Sequence, residues 1–453
     1  MATGAPTIGQ SPRSVKRAQR PRARGAGTIP VSPVREAGRF STCGATRGLE
    51  GEARGVADER AKTPTEASGR HATNLELFLD LVFVFAVTQI AGALGSELTL
   101  VGFGHGLLLA WLVWWLWSQF AWLGTAVDLG GRSTAQYLVL ATVPLTLLMA
   151  VAIPDAFGES GLQFAGAYLA VNLWALGIQG RSLWRDPATR AAWQRYVPLA
   201  AAAPCVLLAG ALLEAEARFV VWTAVAVFNV ASAIAGGRGG RDGTAEWTID
   251  PSHFAERHAL FVIISLGEIV VAVGTAAAAG GLGLAIGASL IAAVAVACVF
   301  WWTYFAYVPE AVEGTLRRAR GADRGAVARN VFTFGHFPIV FGLVLYAVAA
   351  KHAVAHHGDP LGPGDLAILS AAVAFFVGGL LGLQWQAVRQ LAPERVVAIV
   401  GITALCAIAG PLVPGPLLLA VIAIVIALMQ LRSLRRFDRR IAARAAREKA
   451  RNG

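Results

Sequence analysis

Charge is scarce. Asp, Glu, Lys and Arg make up 15% of the 453 residues, where an ordinary soluble domain carries about 25%. The four cysteines, at 43, 205, 298 and 406, have no paired spacing, which excludes a disulfide-stapled scaffold and a cysteine metal motif. No Walker, Rossmann, serine-nucleophile or glycosidase signature occurs in a fitting context. The first 73 residues lack a continuous apolar stretch, so they do not form a conventional secretory signal peptide. What the chain has in abundance is apolar residues, 56% of the total, far too many for a wholly disordered protein.

The formal net charge of +11 would by itself point to a polyanion partner. Its distribution points elsewhere. Residues 1–73 hold 13 basic and 6 acidic side chains, and residues 432–453 hold 9 and 2. Residues 74–431, with 17 basic against 20 acidic side chains, are slightly negative. No nucleic-acid partner is therefore expected. The C-terminal segment, with Leu434, Phe437 and Ile441 set between arginines, reads as an anchor to anionic lipid. Segment 1–73, rich in Arg, Ala, Gly, Ser, Thr and Pro, is expected to be disordered. It reads as a solvated tail or as translation from an upstream start. Its Arg-rich, acid-free first 35 residues resemble an organellar transit peptide only weakly.

From Leu75 onward, apolar runs recur at the length of about 20 residues that a helix needs to cross a bilayer. They are continuously apolar rather than alternating, which selects helices over barrel strands. Twelve are expected, from 75–94 to 415–431, with the fifth at 196–213 and the seventh at 258–278. Of the 17 basic residues in this body, 15 fall in loops after even-numbered runs. Only Arg218 and Lys351 follow odd-numbered ones, whose loops carry Glu97, Asp155, Glu159, Glu214, Glu216, Asp359 and Asp365 instead. Short basic loops stay cytoplasmic, so both termini are expected inside the cell. The expected fold is thus all-α: a multi-pass cell-membrane (inner-membrane) protein with about twelve transmembrane helices.

The halves 74–235 and 253–431 share features in order. Leu81–Ile90 parallels Leu260–Ile269, Trp117–Trp122 parallels Trp302–Tyr307, and Pro144 and Pro338 fall in comparable runs. Six helices per half would give a parallel internal repeat, as in some transporters.

Ionisable groups within membrane spans are expensive and face a partner, a cavity or water. Glu76 and Asp80 stand four residues apart on one face of the first helix, so a cation, a basic partner or a shared proton is expected between them. A hydrated or capping pair near the helix end is the plainer alternative. Glu268 lies about ten residues into the seventh run, with Ser265 one turn and His258 three turns before it. That column suits a proton relay, and Gln89, at the repeat-equivalent position, suits a polar partner of Glu268. The alternative is a protonated Glu268 that only fixes packing. His253, Glu256 and His258 could ligate a metal, but Arg257 sits among them and no fourth ligand is evident. A Glu256–Arg257 contact is expected instead, and no metal or cofactor. His352, His356 and His357 read as solvated loop histidines, and the tryptophans at 111, 114, 115, 117 and 122 as dense packing in the second helix.

Two of these segments, Glu76–Ala86 with Thr88-Gln89, and His253–Arg257 with Leu260–Glu268, resemble the two motifs of the bacterial low temperature requirement A family. The resemblance covers about residues 72–430. It departs at His258-Ala259, where the family often has an aromatic residue and then glycine, and at Ile269. It implies an integral membrane protein linked by name to growth in the cold, without a settled substrate. The leading expectation is a secondary transporter of a small solute or ion, proton-coupled through Glu268, with Glu76 and Asp80 at the cytoplasmic mouth. A non-transporting envelope scaffold or regulator is the second. An intramembrane lipid-modifying enzyme is the third, and no catalytic nucleophile–base pair supports it.

Overall fold

In the computed structural model, the described residues are 71–127, 129, 133–184, 187–236, 249–281 and 283–452. The expectations for residues 1–70, and for Arg132, Arg185, Arg238 and Arg241, lie outside them. Among the described residues there is no strand.

The first half comprises α1 (Asn74–Ser96), α2 (Leu100–Ala126), α3 (Thr134–Leu140), α4 (Thr142–Val151), α5 (Gly161–Leu183), α6 (Pro187–Gly210) and α7 (Ala215–Gly236). The second half runs through α8 (Pro251–Gly280), α9 (Leu284–Phe305), α10 (Val308–Arg318) and α11 (Ala322–Val327). A π-helical turn, Ala328–Phe334, leads into α12 (Gly335–Ala355), followed by α13 (Pro363–Val388), α14 (Pro393–Ile408) and α15 (Gly415–Asn452).

Side-chain caps set several starts. The hydroxyls of Thr73, Thr99 and Ser133 accept from backbone N–H groups of α1, α2 and α3. The Asp250 carboxylate accepts from Ser252 N and His253 N at the head of α8. Each bond satisfies a donor that the helix itself cannot. The hairpin between α8 and α9 turns at Gly281, whose φ of 77° is open to glycine.

Among the described residues, eleven helical segments are long and apolar enough to cross a membrane. Eleven of the twelve expected runs are among them. The fifth run lies in α6, but the first half of that helix carries Arg190, Gln194 and Arg195, and only Val197–Gly210 is apolar. Exposed Leu148, Val220, Ile291, Val397 and Ile424 show many outward surfaces to be apolar, as lipid contact requires.

The centre is α12, buried on nearly every side. It packs against α13, α8, α1 and α9. Its approach to α13 is closest at Gly342, where an added Cβ would stand 2.6 Å from Phe376 N and 2.8 Å from Ala372 O. Pro338 follows the π turn, and Pro144 follows the break at Ala141 between α3 and α4. A proline removes one backbone donor and crowds the carbonyl four residues back, so an irregular turn before it relieves the conflict.

The basic residues that broke the loop pattern have local reasons. Arg218 is buried, and its guanidinium donates to the carbonyls of Ala156, Gly158, Ala211 and Leu213, tying two loops together. Two arginines assigned to basic loops are also buried. Arg257 joins the site described below. Arg395 donates to Leu380 O at 2.8 Å and lies over the Tyr307 ring. The segment beyond Arg432 continues α15 as helix, held at its start by Arg436 and Ser433 on Glu394.

Candidate functional site

The first turns of α1 and α8 meet side by side. Glu76 and Asp80, one turn apart on α1, receive the same guanidinium from α8. Arg257 Nη1 donates to Glu76 Oε1 and Nη2 to Asp80 Oδ1, each at 2.7 Å. All three side chains are at most 1% exposed. The planar, always-charged fork suits two carboxylates better than an ammonium would. Burying three charges is costly unless each is paired and hydrogen-bonded. Neighbouring groups supply further bonds to Glu76 and to Asp80 Oδ1, while Asp80 Oδ2 and Arg257 Nε are buried without a partner among the described residues.

His253 Nε2 lies 3.1 Å from Glu76 Oε2, and Thr73 donates to the same oxygen from its backbone N and its hydroxyl. The Thr73 hydroxyl accepts in turn from Glu76 N, completing a capping box. Trp117 of α2 donates to Asp80 Oδ1 at 2.8 Å, and its ring lies under the Arg257 guanidinium. Gly124 of α2 passes so close that an added Cβ would strike the Glu76 carboxylate.

Of the partners foreseen for the carboxylate pair, the basic one is present. The expected Glu256–Arg257 contact is not formed. Glu256 points instead to the segment before α1, accepting from Ala72 N at 2.9 Å and facing His71 Nδ1 at 3.3 Å. Consecutive helical residues do not face one another, so Glu256 and Arg257 serve different neighbours. The same divergence separates His253, Glu256 and His258. Among the described residues no three His, Cys, Asp or Glu side chains converge as a metal site.

A second acidic group lies deeper on the same helix pair. Glu268 is eleven residues beyond Arg257, about 16 Å along α8, and is 7% exposed. Thr88 of α1 donates to its Oε2 at 2.5 Å. This corrects the expectation for Gln89, since the adjacent residue makes the contact.

The expected relay column is also corrected. Ser265 donates to Phe261 O, and His258 Nδ1 donates to Phe254 O. Both therefore bond back onto their own helix, and neither links to Glu268. His258 sits in an aromatic box made by Trp114, Trp117, Phe254 and Phe332.

Beside that box is a residue the motifs did not single out. His336 of α12 has its ring 5.2 Å from that of His258. Its Nδ1 donates to Val331 O in the π turn, and its Nε2 accepts from the Tyr304 hydroxyl at 2.9 Å. A histidine inside an apolar run was the available signal. The π turn is held from other sides as well, by Trp114 Nε1 on Thr333 O, Trp122 Nε1 on Thr333 Oγ1 and Gln386 Nε2 on Asn330 O. The helix-2 tryptophans thus pack and donate, as their density implied. His352 lies in the last turn of α12 and pairs with Asp365 of α13 at 2.6 Å, which corrects its reading as a solvated loop histidine.

The residues gathered here are those of the two motifs, and the model of the bacterial low temperature requirement A protein matches residues 71–430. The chain belongs to the low temperature requirement A family. It is also similar to an uncharacterized protein of Rhizobium meliloti (strain 1021), 30% identical over 332 residues that cover 69% of this chain and 76% of that protein. No solved structure matches. In this family member, the first motif supplies Glu76, Asp80 and Thr88, and the second supplies His253, Arg257 and Glu268. Two segments 177 residues apart in sequence are one site in space.

Proposed function

We propose that this low temperature requirement A protein is a secondary transporter of a small solute or ion whose pathway follows the α1/α8 seam. One observation carries the reading: two buried acidic layers lie about 16 Å apart on the same two helices, the inner one locked by Arg257 and the outer one joined to a single threonine. Glu268 is the coupling carboxylate, taking up and releasing a proton as its contact with Thr88 breaks and forms. The Glu76–Arg257–Asp80 cluster closes the inner end, and substrate passes when the guanidinium lets go of one carboxylate.

The finer topology belongs to the same proposal. The apolar part of α6 completes a twelfth crossing, both termini are cytoplasmic, and the halves form a parallel repeat in which α1 and α8 are equivalent. The basic face of α15 beyond Arg432 rests on anionic lipid. Support comes from the loop arginines, from the capped starts of α1 and α8 side by side, and from the paired prolines.

A second reading, a scaffold that transports nothing, draws on the inner cluster being sealed from solvent, with one guanidinium tying two carboxylates across the helix pair. Flux measurements separate the two. The protein is reconstituted in liposomes under an imposed pH gradient, and a panel of small solutes and ions is screened with the wild type and Glu268→Gln. The transporter reading expects proton-driven uptake of one class in the wild type and its loss in Glu268→Gln. No flux for any solute, with Glu268→Gln still supporting growth in the cold, would favour the scaffold.

A further inference from the structure

A groove of about 410 Å³ opens between the π turn with α12 on one side and α13 on the other. That volume is within the roughly 300–1,000 Å³ of small-molecule sites. Phe334 and Phe375 form apolar walls, and Gly378 and Gly382 lie one turn apart along α13. A Cβ added at either glycine meets nothing within 4 Å, so the space over them is open. At one end stand two amides, Asn330 and Gln386. Gln386 Nε2 donates to Asn330 O at 3.1 Å, and Arg329 Nε donates to Asn330 Oδ1 at 2.9 Å. Beyond Gln386, α13 ends at Val388, and the exposed Arg389 caps it in a left-handed conformation.

The groove therefore has two chemistries. Its length over the glycines is apolar and lies within two membrane-spanning segments, Asp323–Ala355 and Pro363–Ala387. At its amide end Arg329 is bonded to Asn330, and Arg389 follows two residues after the apolar span ends at Ala387. A second copy of this chain packed across the glycines about an axis normal to the membrane would bring its own Arg389 to the same level, and like charges there oppose association. An anionic head above an acyl chain satisfies both ends. The geometry points to a binding site for one anionic phospholipid, with a chain over Gly378 and Gly382 and the phosphate at Arg389, Asn330 and Gln386. The site is separate from the α1/α8 seam and does not depend on the transport reading. The π turn joins it to the interior: Asn330 lines the groove while Val331, Phe332 and Thr333 contact His336, His258 and Trp114.

Native mass spectrometry of the full chain tests this, with phosphatidylglycerol or phosphatidylcholine added to the delipidated protein. The wild type is expected to retain one phosphatidylglycerol in preference to phosphatidylcholine. Gly378→Leu with Gly382→Leu fills the groove and is expected to weaken that retention by about tenfold, near 1.4 kcal/mol. Gly378→Ala fills little of it and retains the lipid. Arg389→Ala, an exposed change that spares the fold, is expected to reduce the preference for the anionic lipid about fivefold, the scale of one arginine near a charged headgroup. Equal retention of both lipids by the wild type would overturn the proposal, as would an unchanged preference in Arg389→Ala. So would a protein dimer that the leucine variant abolishes while lipid retention stays the same.

Discussion

The two acidic layers on α1 and α8 share a scaffold and differ in how tightly each is held. In the inner layer, Glu76 and Asp80 together receive Arg257, His253, Thr73 and Trp117, with one guanidinium shared by both carboxylates. In the outer layer the Thr88 hydroxyl alone donates to Glu268 among the described residues. A carboxylate held by several groups is expensive to disturb, whereas one held by a single hydroxyl can change its protonation or its contact at small cost. Stability is thus concentrated in the inner layer and adaptability in the outer. On the transporter reading, opening the inner layer requires a competing partner, while the outer layer needs only a proton.

Substitutions sharpen this contrast in a definite order. Arg257→Leu leaves two buried carboxylates without their cation and is expected to cost about 3–5 kcal/mol, read as a large loss of thermal stability in detergent. Arg257→Lys keeps the charge but cannot span both carboxylates, and is expected to fall between Arg257→Leu and the wild type. Trp117→Phe preserves the ring under the guanidinium but removes the donor to Asp80. Its expected cost is about 1.5–3 kcal/mol, typical of a hydrogen bond to a charged group. Thr88→Val removes the outer contact and is expected to cost only about 0.6 kcal/mol, the average for a hydrogen bond between membrane helices. If Thr88→Val destabilises the protein as much as Trp117→Phe, the two layers are not different in kind.

The helical, membrane-spanning architecture was legible because each span is a long apolar run and because arginine alternates between loops. That α6 falls short reflects Arg190, Gln194 and Arg195 in its first half. The site was legible in its members and not in its wiring. Spacing placed Glu76 and Asp80 on one face and called for a cation, but the neighbouring Glu256 looked like the natural claimant of Arg257. One residue along a helix is about a hundred degrees around it, and that rotation decides that Arg257 faces α1 while Glu256 faces Ala72. The same rotation gives Glu268 to Thr88 rather than Gln89. Local back-bonding by His258 and Ser265 to carbonyls four residues earlier dissolved the relay, a competition that residue spacing does not display. The π turn had no sequence signature, so the groove beside Gly378 was out of reach, and His336 was signalled only as a histidine inside an apolar run.

The central claim is that the inner layer seals the seam while the outer layer is reached from the opposite face. Cysteine accessibility tests it most directly. Thr88→Cys, in a background lacking the native cysteines, is treated with a membrane-impermeant maleimide from either side of sealed vesicles. The account predicts labelling from the non-cytoplasmic side alone, with cytoplasmic labelling appearing when Arg257→Lys loosens the inner layer. Equal labelling from both sides, or cytoplasmic labelling with Arg257 intact, would contradict it.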